Sequence, residues 1–416
     1  MIRGEMAPAP DSDPATTALR TAATSERLVP VAASEIAAHG LAAASARTIA
    51  AAAGVAPSAI NYHFGALEHL FSSAFSHGAA QTAAWLELRS GDIAALPPTP
   101  AGAVLALEHV IVEWTSTARP LALLYQEALA AGAGAPVLAW TALWRDFWTG
   151  AAGRFGLDAT AGRTMHAFFQ SEALYHLSTW SPALERAALR DLCAAFGDVF
   201  LGAPAGPDSG ALHLAERSAG VVPEGMLPPA AFKIAEAAAA VVEETGLSGL
   251  THRAVAIKAG VTTGAVTHHF WTVEDLVAGA IRGQVLLTSQ VDEVQPQPAP
   301  YGSGAALMDA IAAYAVKDRM WGPVLRRRQL FFAAIRRPEL ARSAAVIRFA
   351  HGGTVRDALD RLYGLAPSAL SRYAGLLARI VAGSWIASST EPSVRESQAA
   401  IVGDLRRRLL DRLGPG

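Results

Sequence analysis

This sequence predicts an all-α protein made of two copies of one plan, and three observations carry that prediction. Apolar residues recur at three- and four-residue spacing along nearly the whole chain, while sustained period-two alternation of β-branched and aromatic residues is absent. Apolar residues make up 52% of the chain and charged ones 17%, but alanine supplies much of the former, and alanine favours helix while adding little hydrophobic area. Third, the chain repeats itself. Placing Gly40 on Gly246 aligns it without a gap through Leu70 and Leu276, with identities at Gly40/Gly246, Leu41/Leu247, Arg47/Arg253, Ala50/Ala256, Gly54/Gly260, Val55/Val261, His63/His269, Phe64/Phe270 and Glu68/Glu274.

The 416 residues exceed what one core usually organises, so several domains are expected. Residues 1–24 read as a disordered arm, 25–71 as a first three-helix unit and 72–202 as a longer helical domain. Residues 203–226, rich in proline and glycine with room for a short helical turn, read as a linker. The plan then recurs as 227–278 and 279–416. Shorter breaks at "LPPTPAG" and "QPQPAPYGSG" separate the small piece from the long one in each half. No run of about 18 uncharged apolar residues appears, and the first two dozen residues lack the apolar centre of a signal peptide, which predicts a cytoplasmic protein with no membrane partner. Cys193 is the single cysteine; its spacing to Leu189, Leu192 and Phe196 suits the buried face of a helix.

Within each repeat a first helix ends at Gly40 or Gly246, where a left-handed residue closes a helix without Cβ strain. Ser45 and Thr251 stand where an N-cap is wanted. A short alanine-rich helix runs to Ala53 or Ala259, Gly54 or Gly260 supplies a tight turn, and a third helix starts near Pro57 or Thr263. That is helix-turn-helix spacing. Ile36, Ile49, Val55, Ile60 and Phe64 form the apolar set for a common core, repeated as Val242, Val255, Val261, Val266 and Phe270. The other positions of the third helix face outward, as in helices that enter the ~12 Å major groove. Pro30 falls inside the expected first helix, which should therefore begin late or bend there.

At these residues, strongly over 25–71 and 230–277, the chain resembles the TetR/AcrR family of bacterial transcriptional repressors, whose reading segment runs like "GVS-x-G-T-L-Y-Y-H-F-x-S-K-E". The resemblance implies, per unit, a three-helix DNA-binding domain followed by a larger helical domain that binds a small molecule and dimerises. Two complete units imply a fused dimer. The DNA-facing positions it implies are Ser45, Arg47, Pro57, Ser58, Ala59, Asn61, Tyr62 and His63 in the first copy, and Thr251, Arg253, Thr263, Gly264, Ala265, Thr267, His268 and His269 in the second. Arg47 and Arg253 match a position that reaches a base edge, and Tyr62 and His63, with His268 and His269 as counterparts, match phosphate contacts. Two departures stand out. The family's lysine after the helix-three Phe is Leu67 or Val273, and its first Tyr is Asn61 or Thr267. Residues 25–70 hold two basic and three acidic side chains and residues 229–278 three and five, so weak binding with a shallow salt dependence is expected.

The long pieces differ in charge. Residues 71–202 carry seven Lys/Arg and eleven Asp/Glu, whereas residues 279–416 carry nineteen and eleven. That complementarity suits an internal pseudo-two-fold interface between diverged partners; drift on solvated faces is the alternative. The resemblance places such an interface on helices near 163–179, 183–201, 367–388 and 393–413, with stripes at Leu189, Leu192, Phe196 and Ile401, Leu405, Leu409. Aromatic residues crowd the middle helices, including Trp114, Tyr125, Trp140, Trp144, Phe147, Trp148 and Phe168, then Tyr314, Trp321, Phe331 and Phe332. Aromatics at helical spacing build cores or line pockets. A mostly apolar pocket orients its ligand with few polar groups, so His109, Glu113, Trp114, Gln126, Trp144, His166, Gln170 and Trp321 are the candidate effector-binding residues.

"GAGAP" and "HGGT" lack a preceding strand and read as turns rather than phosphate cradles. The histidines of the third helices lack companions at metal-ligand spacing, so no metal and no cofactor is expected. No paired carboxylates or nucleophile elbow point to an enzyme. Two readings stand: a ligand-responsive repressor acting as a covalent pseudo-dimer on an imperfectly palindromic double-stranded DNA operator and released by a small apolar or amphipathic effector, or a ligand- or partner-binding module whose reading heads are degenerate.

Overall fold

The computed structural model describes residues 14–132, 134–202, 208–220, 228–246, 249–281, 283, 301–315, 328, 330–332 and 334–414, with side chains from residue 24 onward except at 243 and 354. Helix is the only extended regular structure among them. In chain order the helices are α1 (Pro14–His39), α2 (Ala46–Ala53), α3 (Ser58–Phe64), α4 (Leu67–Ala94), α5 (Pro100–Thr115), α6 (Arg119–Ala131), α7 (Gly134–Arg154), α8 (Ala159–Tyr175), α9 (Pro182–Phe200), α10 (Ala211–Ala219), α11 (Pro229–Thr245), α12 (His252–Ala259), α13 (Thr263–His269), α14 (273–281), α15 (Gly304–Ala315), α16 (Ala341–Ala350), α17 (Gly353–Tyr363), α18 (Pro367–Ser388) and α19 (Val394–Leu413). No helix among the described residues is long and apolar enough to cross a membrane.

Two expectations for the start of the chain are corrected. The arm expected to be disordered over residues 1–24 is helical from Pro14, where α1 begins; residues 1–13 lie outside the described residues. A proline fits the first turn of a helix, and the alanine-rich stretch behind it propagates the helix well. Pro30 does not end or delay α1, which runs through it to His39. Both Pro30 and Glu26, whose carbonyl loses its partner, are exposed, so water can replace the missing bond.

The described residues form two compact units. One holds residues up to Ala84 with Pro120–Trp140; the other holds Trp85–Arg119 with Thr141 onward. In the first, Leu28, Ala32, Ile36, Ile49, Ala50 and Ile60 are buried to 0% exposure in the common core of α1, α2 and α3, and Leu70 at the start of α4 is equally buried. Further along α4, Gly78 leaves space filled by the Trp140 and Leu124 side chains.

In the second unit, α8, α9, α18 and α19 pack on one another, with α18 running along α8. The approach is close because Gly383 has no Cβ: one built there would stand 1.7 Å from the Ala167 carbonyl oxygen. Leu189, Leu192, Cys193, Phe196, Ile401, Leu405 and Leu409 are all buried, and burial raises the Cys193 thiol well above its ordinary range. α10 lies inside the segment read as a linker but is a packed element. Leu212, Ala215 and Ala219 bury against neighbours including α9, and Asp191 accepts hydrogen bonds from Ser209 Oγ at 2.7 Å and Leu212 N–H at 3.0 Å.

Candidate nucleic-acid interface and aromatic core

Residues of the first unit build one helix-turn-helix. Ser45 caps α2 reciprocally: its Oγ accepts the Thr48 N–H at 3.2 Å while Thr48 Oγ1 accepts the Ser45 N–H at 2.9 Å. Ile49, Ala50 and Ala53 turn inward, and α2 closes on Gly54 at φ 66°, a left-handed conformation that a side chain would strain. The Val55 N–H then bonds Ala50 O at 3.0 Å and α3 begins. Ile60 alone of α3 is fully buried. Arg47, Pro57, Ser58, Asn61 and Tyr62 are exposed, and Ser45, Ala59 and His63 half-buried. The Tyr62 ring meets His63 edge to face at 5.0 Å. Val55 and Phe64, expected in the core, are half-buried.

The second unit contains the other copy, formed by α11, α12 and α13. Thr251 caps α12 by accepting the Ala254 N–H at 3.1 Å, Gly260 takes φ 65°, and the Val261 N–H bonds Ala256 O at 3.0 Å. Thr262, which the sequence reading passed over, caps α13 through the Ala265 N–H at 3.2 Å. Thr251, Arg253, Thr263, Gly264 and His268 are exposed; Ala265, Thr267 and His269 are half-buried. Thr267 Oγ1 donates to Thr263 O at 3.0 Å, which leaves the hydroxyl only its acceptor side for an outside partner. His252 Nε2 lies 2.7 Å from Phe270 O and ties the end of α13 to the start of α12. In the first copy that duty falls to His69, whose Nδ1 lies 2.9 Å from Phe64 O. Nothing in the local sequence singles out either histidine.

The candidate effector residues divide. In the second unit Trp114 and Trp144 meet edge to face at 4.8 Å, Trp144 lies 4.0 Å from Phe169, and Trp148 lies 5.5 Å from the same ring. Trp85, absent from the sequence-based set, joins Trp114 at 5.3 Å. His166 and Gln170 flank Phe169 on α8, with Gln170 Nε2 2.8 Å from His166 Nε2. Burial, helped by Arg145, lowers the His166 pKa to about 3, so the ring is neutral. If the Gln170 amide donates to Nε2, the ring proton sits on Nδ1. Nδ1 and the Trp144 and Trp148 Nε1 atoms are buried without a hydrogen-bond partner among the described residues.

His109 and Glu113 instead belong to a half-exposed ionic cluster. Arg89 pairs with Asp92 at 2.8 Å and Glu113 at 3.3 Å, and His109 stands 3.4 Å from Asp92. Arg89 also lies over the Trp85 ring at 5.3 Å. Gln126 is buried in the first unit, and Trp321 lies outside the described residues.

The model for the family described as bacterial regulatory proteins, tetR family, matches residues 28–74 and again residues 234–280. No curated protein matches the chain. Among solved structures, that of the multidrug binding protein EbrR complexed with imidazole is 26% identical over 43% of this chain and 96% of its own, with a TM-score of 0.30. Each family match spans one helix-turn-helix with its capped second helix, left-handed glycine and outward third helix, and together they make the chain a tandem TetR-type regulator of two fused units.

Proposed function

We propose that this regulator is a ligand-responsive repressor in which one chain supplies both reading heads of a pseudo-dimer. The observation that carries the reading is the presence of two helix-turn-helix units with like turns and unlike outward residues. Arg47 and Arg253 are the candidates for base edges, and Asn61, Tyr62 and His63 in one head correspond in sequence to Thr267, His268 and His269 in the other. Such heads read half-sites about 34–36 Å apart, and unlike reading helices call for an imperfect palindrome. The long helical pieces form the internal pair through α8, α9, α18 and α19 in this proposal. A repressor of this kind responds to an effector that binds its two states unequally, so that DNA affinity falls.

The aromatic core is the proposed effector site. Buried polar atoms are normally satisfied, and the unpartnered Trp144 and Trp148 indoles are donors, as is His166 when its proton sits on Nδ1. They favour a small, largely apolar molecule carrying a hydrogen-bond acceptor such as a carbonyl or ether oxygen. The acidic balance of both heads, with Leu67 and Val273 in place of basic residues, supports a second reading in which one or both heads have lost DNA affinity. Footprinting on the DNA beside its own gene, in low salt without ligand, separates the two. Protection of two unlike half-sites is expected. Repeated failure to protect any site would favour the second reading, and preference for a perfect inverted repeat would contradict the division of labour between heads.

A further inference from the structure

The contact between the first half's α8 and α9 and the second half's α16 and α18 contains a buried ion network. Glu172 Oε1 accepts from Arg348 Nη2 at 2.6 Å and Glu172 Oε2 from Arg379 Nε at 3.0 Å, and the three side chains are at most 1% exposed. Arg348 Nη1 donates to Tyr175 O at 3.1 Å and stands 3.5 Å from Glu185 Oε1. Arg379 donates to Arg348 O at 2.8 Å and lies over the Tyr175 ring at 4.9 Å. Burial pushes the Glu172 carboxyl up, and Arg348 and Arg379 outweigh it, holding the pKa below its ordinary value. Burial and Arg348 keep His176 neutral, at about 3.

Among the described residues the ion pairs within 4 Å between the halves run one way. Glu172 and Glu185 come from the first half and Arg348 and Arg379 from the second. Further out, Asp198 of α9 pairs with Arg412 of α19 at 2.8 Å, and Glu216 of α10 pairs with Arg356 of α17. Among the described residues every ion pair within 4 Å that joins 14–220 to the chain after 228 takes its anion from the earlier segment and its cation from the later one. In a symmetric self-pair each contact surface meets its own copy. Two first halves would then set Glu172 and Asp198 against a face without these arginines, with Arg119 beside Glu185 as partial relief. Two second halves would bury Arg348 and Arg379 without their carboxylates. Leaving a buried charge unpaired is strongly unfavourable.

We propose that this one-way charge assignment is a pairing-specificity device: it makes each half accept the other and reject a second copy of itself, so that one chain closes into one two-headed molecule. The inference rests on the pairing reading above and adds selectivity to it. A protease site placed within residues 221–227 of the full chain, cut after purification, lets native mass spectrometry count first–second, first–first and second–second pairs. Mixed pairs should exceed self-pairs by about 100-fold, as several kcal/mol of like-charge cost implies. Fragments that separate after the cut would sink the pairing reading and the inference together. Fragments that stay paired but in statistical proportion would sink the selectivity alone. Replacing the network with apolar residues, Glu172→Leu with Arg348→Met and Arg379→Met, should raise self-pairs by about tenfold or more; an unchanged mixed-pair excess overturns the proposal. Should that variant fail to fold, the part-exposed Asp198–Arg412 pair offers a milder reversal. Asp198→Arg and Arg412→Glu should each cut the mixed-pair excess by about threefold, and the double variant should recover it, given the modest worth of exposed pairs. No recovery counts against the proposal.

Discussion

The two helix-turn-helix heads share their turns but not their ends. α2 and α12 close on glycines at φ 66° and 65°, and the next N–H returns to the equivalent alanine at 3.0 Å in both. At the start of the third helix, Thr262 caps α13 with its hydroxyl, whereas Pro57 offers α3 no side-chain cap. At the exit the first head leaves through Gly65 at φ 73°, while the second leaves through an extended Phe270 at φ −136° and a 77% exposed Trp271. The lesson is that duplication preserved the part of each head that fixes the angle between helices and released the parts that fix how each reading helix is held.

The largest separation between the heads should be seen on DNA. Arg47→Ala and Arg253→Ala each remove an exposed guanidinium at equivalent positions, and loss of a base-edge contact costs roughly 1–3 kcal/mol. Each variant should weaken operator binding by about tenfold or more and relax preference at one half-site only, as read by selection from randomised half-sites. Equal relaxation at both half-sites would mean that the heads are interchangeable and that their divergence carries no reading function.

A smaller effect is expected inside the second head. Phe270 is 6% exposed because its ring lies over Gly279, where a Cβ would come within 2.6 Å of it. In the same register the first head has Ser73, and its Phe64 is only half-buried. Gly279→Ser should therefore push Phe270 outward and destabilise the second head by about 1–3 kcal/mol, the usual penalty for overpacking. Hydrogen exchange at the Val266 and Phe270 amides measures it. Unchanged protection would mean that the ring has room elsewhere, and that this glycine does not account for the difference between the two phenylalanines.

The sequence made the helices and the helix-turn-helix turns legible because their signals are local. A cap residue, a glycine that must be left-handed and the spacing of inward residues all fall within about one helical turn of what they determine. Pro30 misled for the same reason: its local cost is real, but whether that cost ends a helix depends on exposure, which the stretch itself does not encode. The aromatic weight of the middle helices was visible, yet not which rings meet. Trp85 and Phe169 join the cluster only once α4, α5, α7 and α8 are placed. Least legible was the buried network, whose partners lie 176 and 207 residues apart. An isolated glutamate and two arginines on helices look like solvated charges until tertiary packing removes the water.

The finest test of the comparison concerns the two histidines that hold the end of each reading helix. His69 reaches Phe64 O from the helix that follows, and His252 reaches Phe270 O from the helix that precedes it. Both bonds occupy a carbonyl that a seven-residue helix cannot satisfy internally at its last turn. A hydrogen bond of this kind contributes about 0.5–1.5 kcal/mol net, so His69→Ala and His252→Ala should each loosen their own head by that amount. The second should lose more, because His252 is half-buried and spans α12 to α13, whereas His69 is exposed and only five residues from its acceptor. Exchange rates at the amides of α3 and α13 report each head separately. A larger loss in the first head would reverse the ranking and show that the glycine exit, rather than the side-chain tie, is the weaker hold.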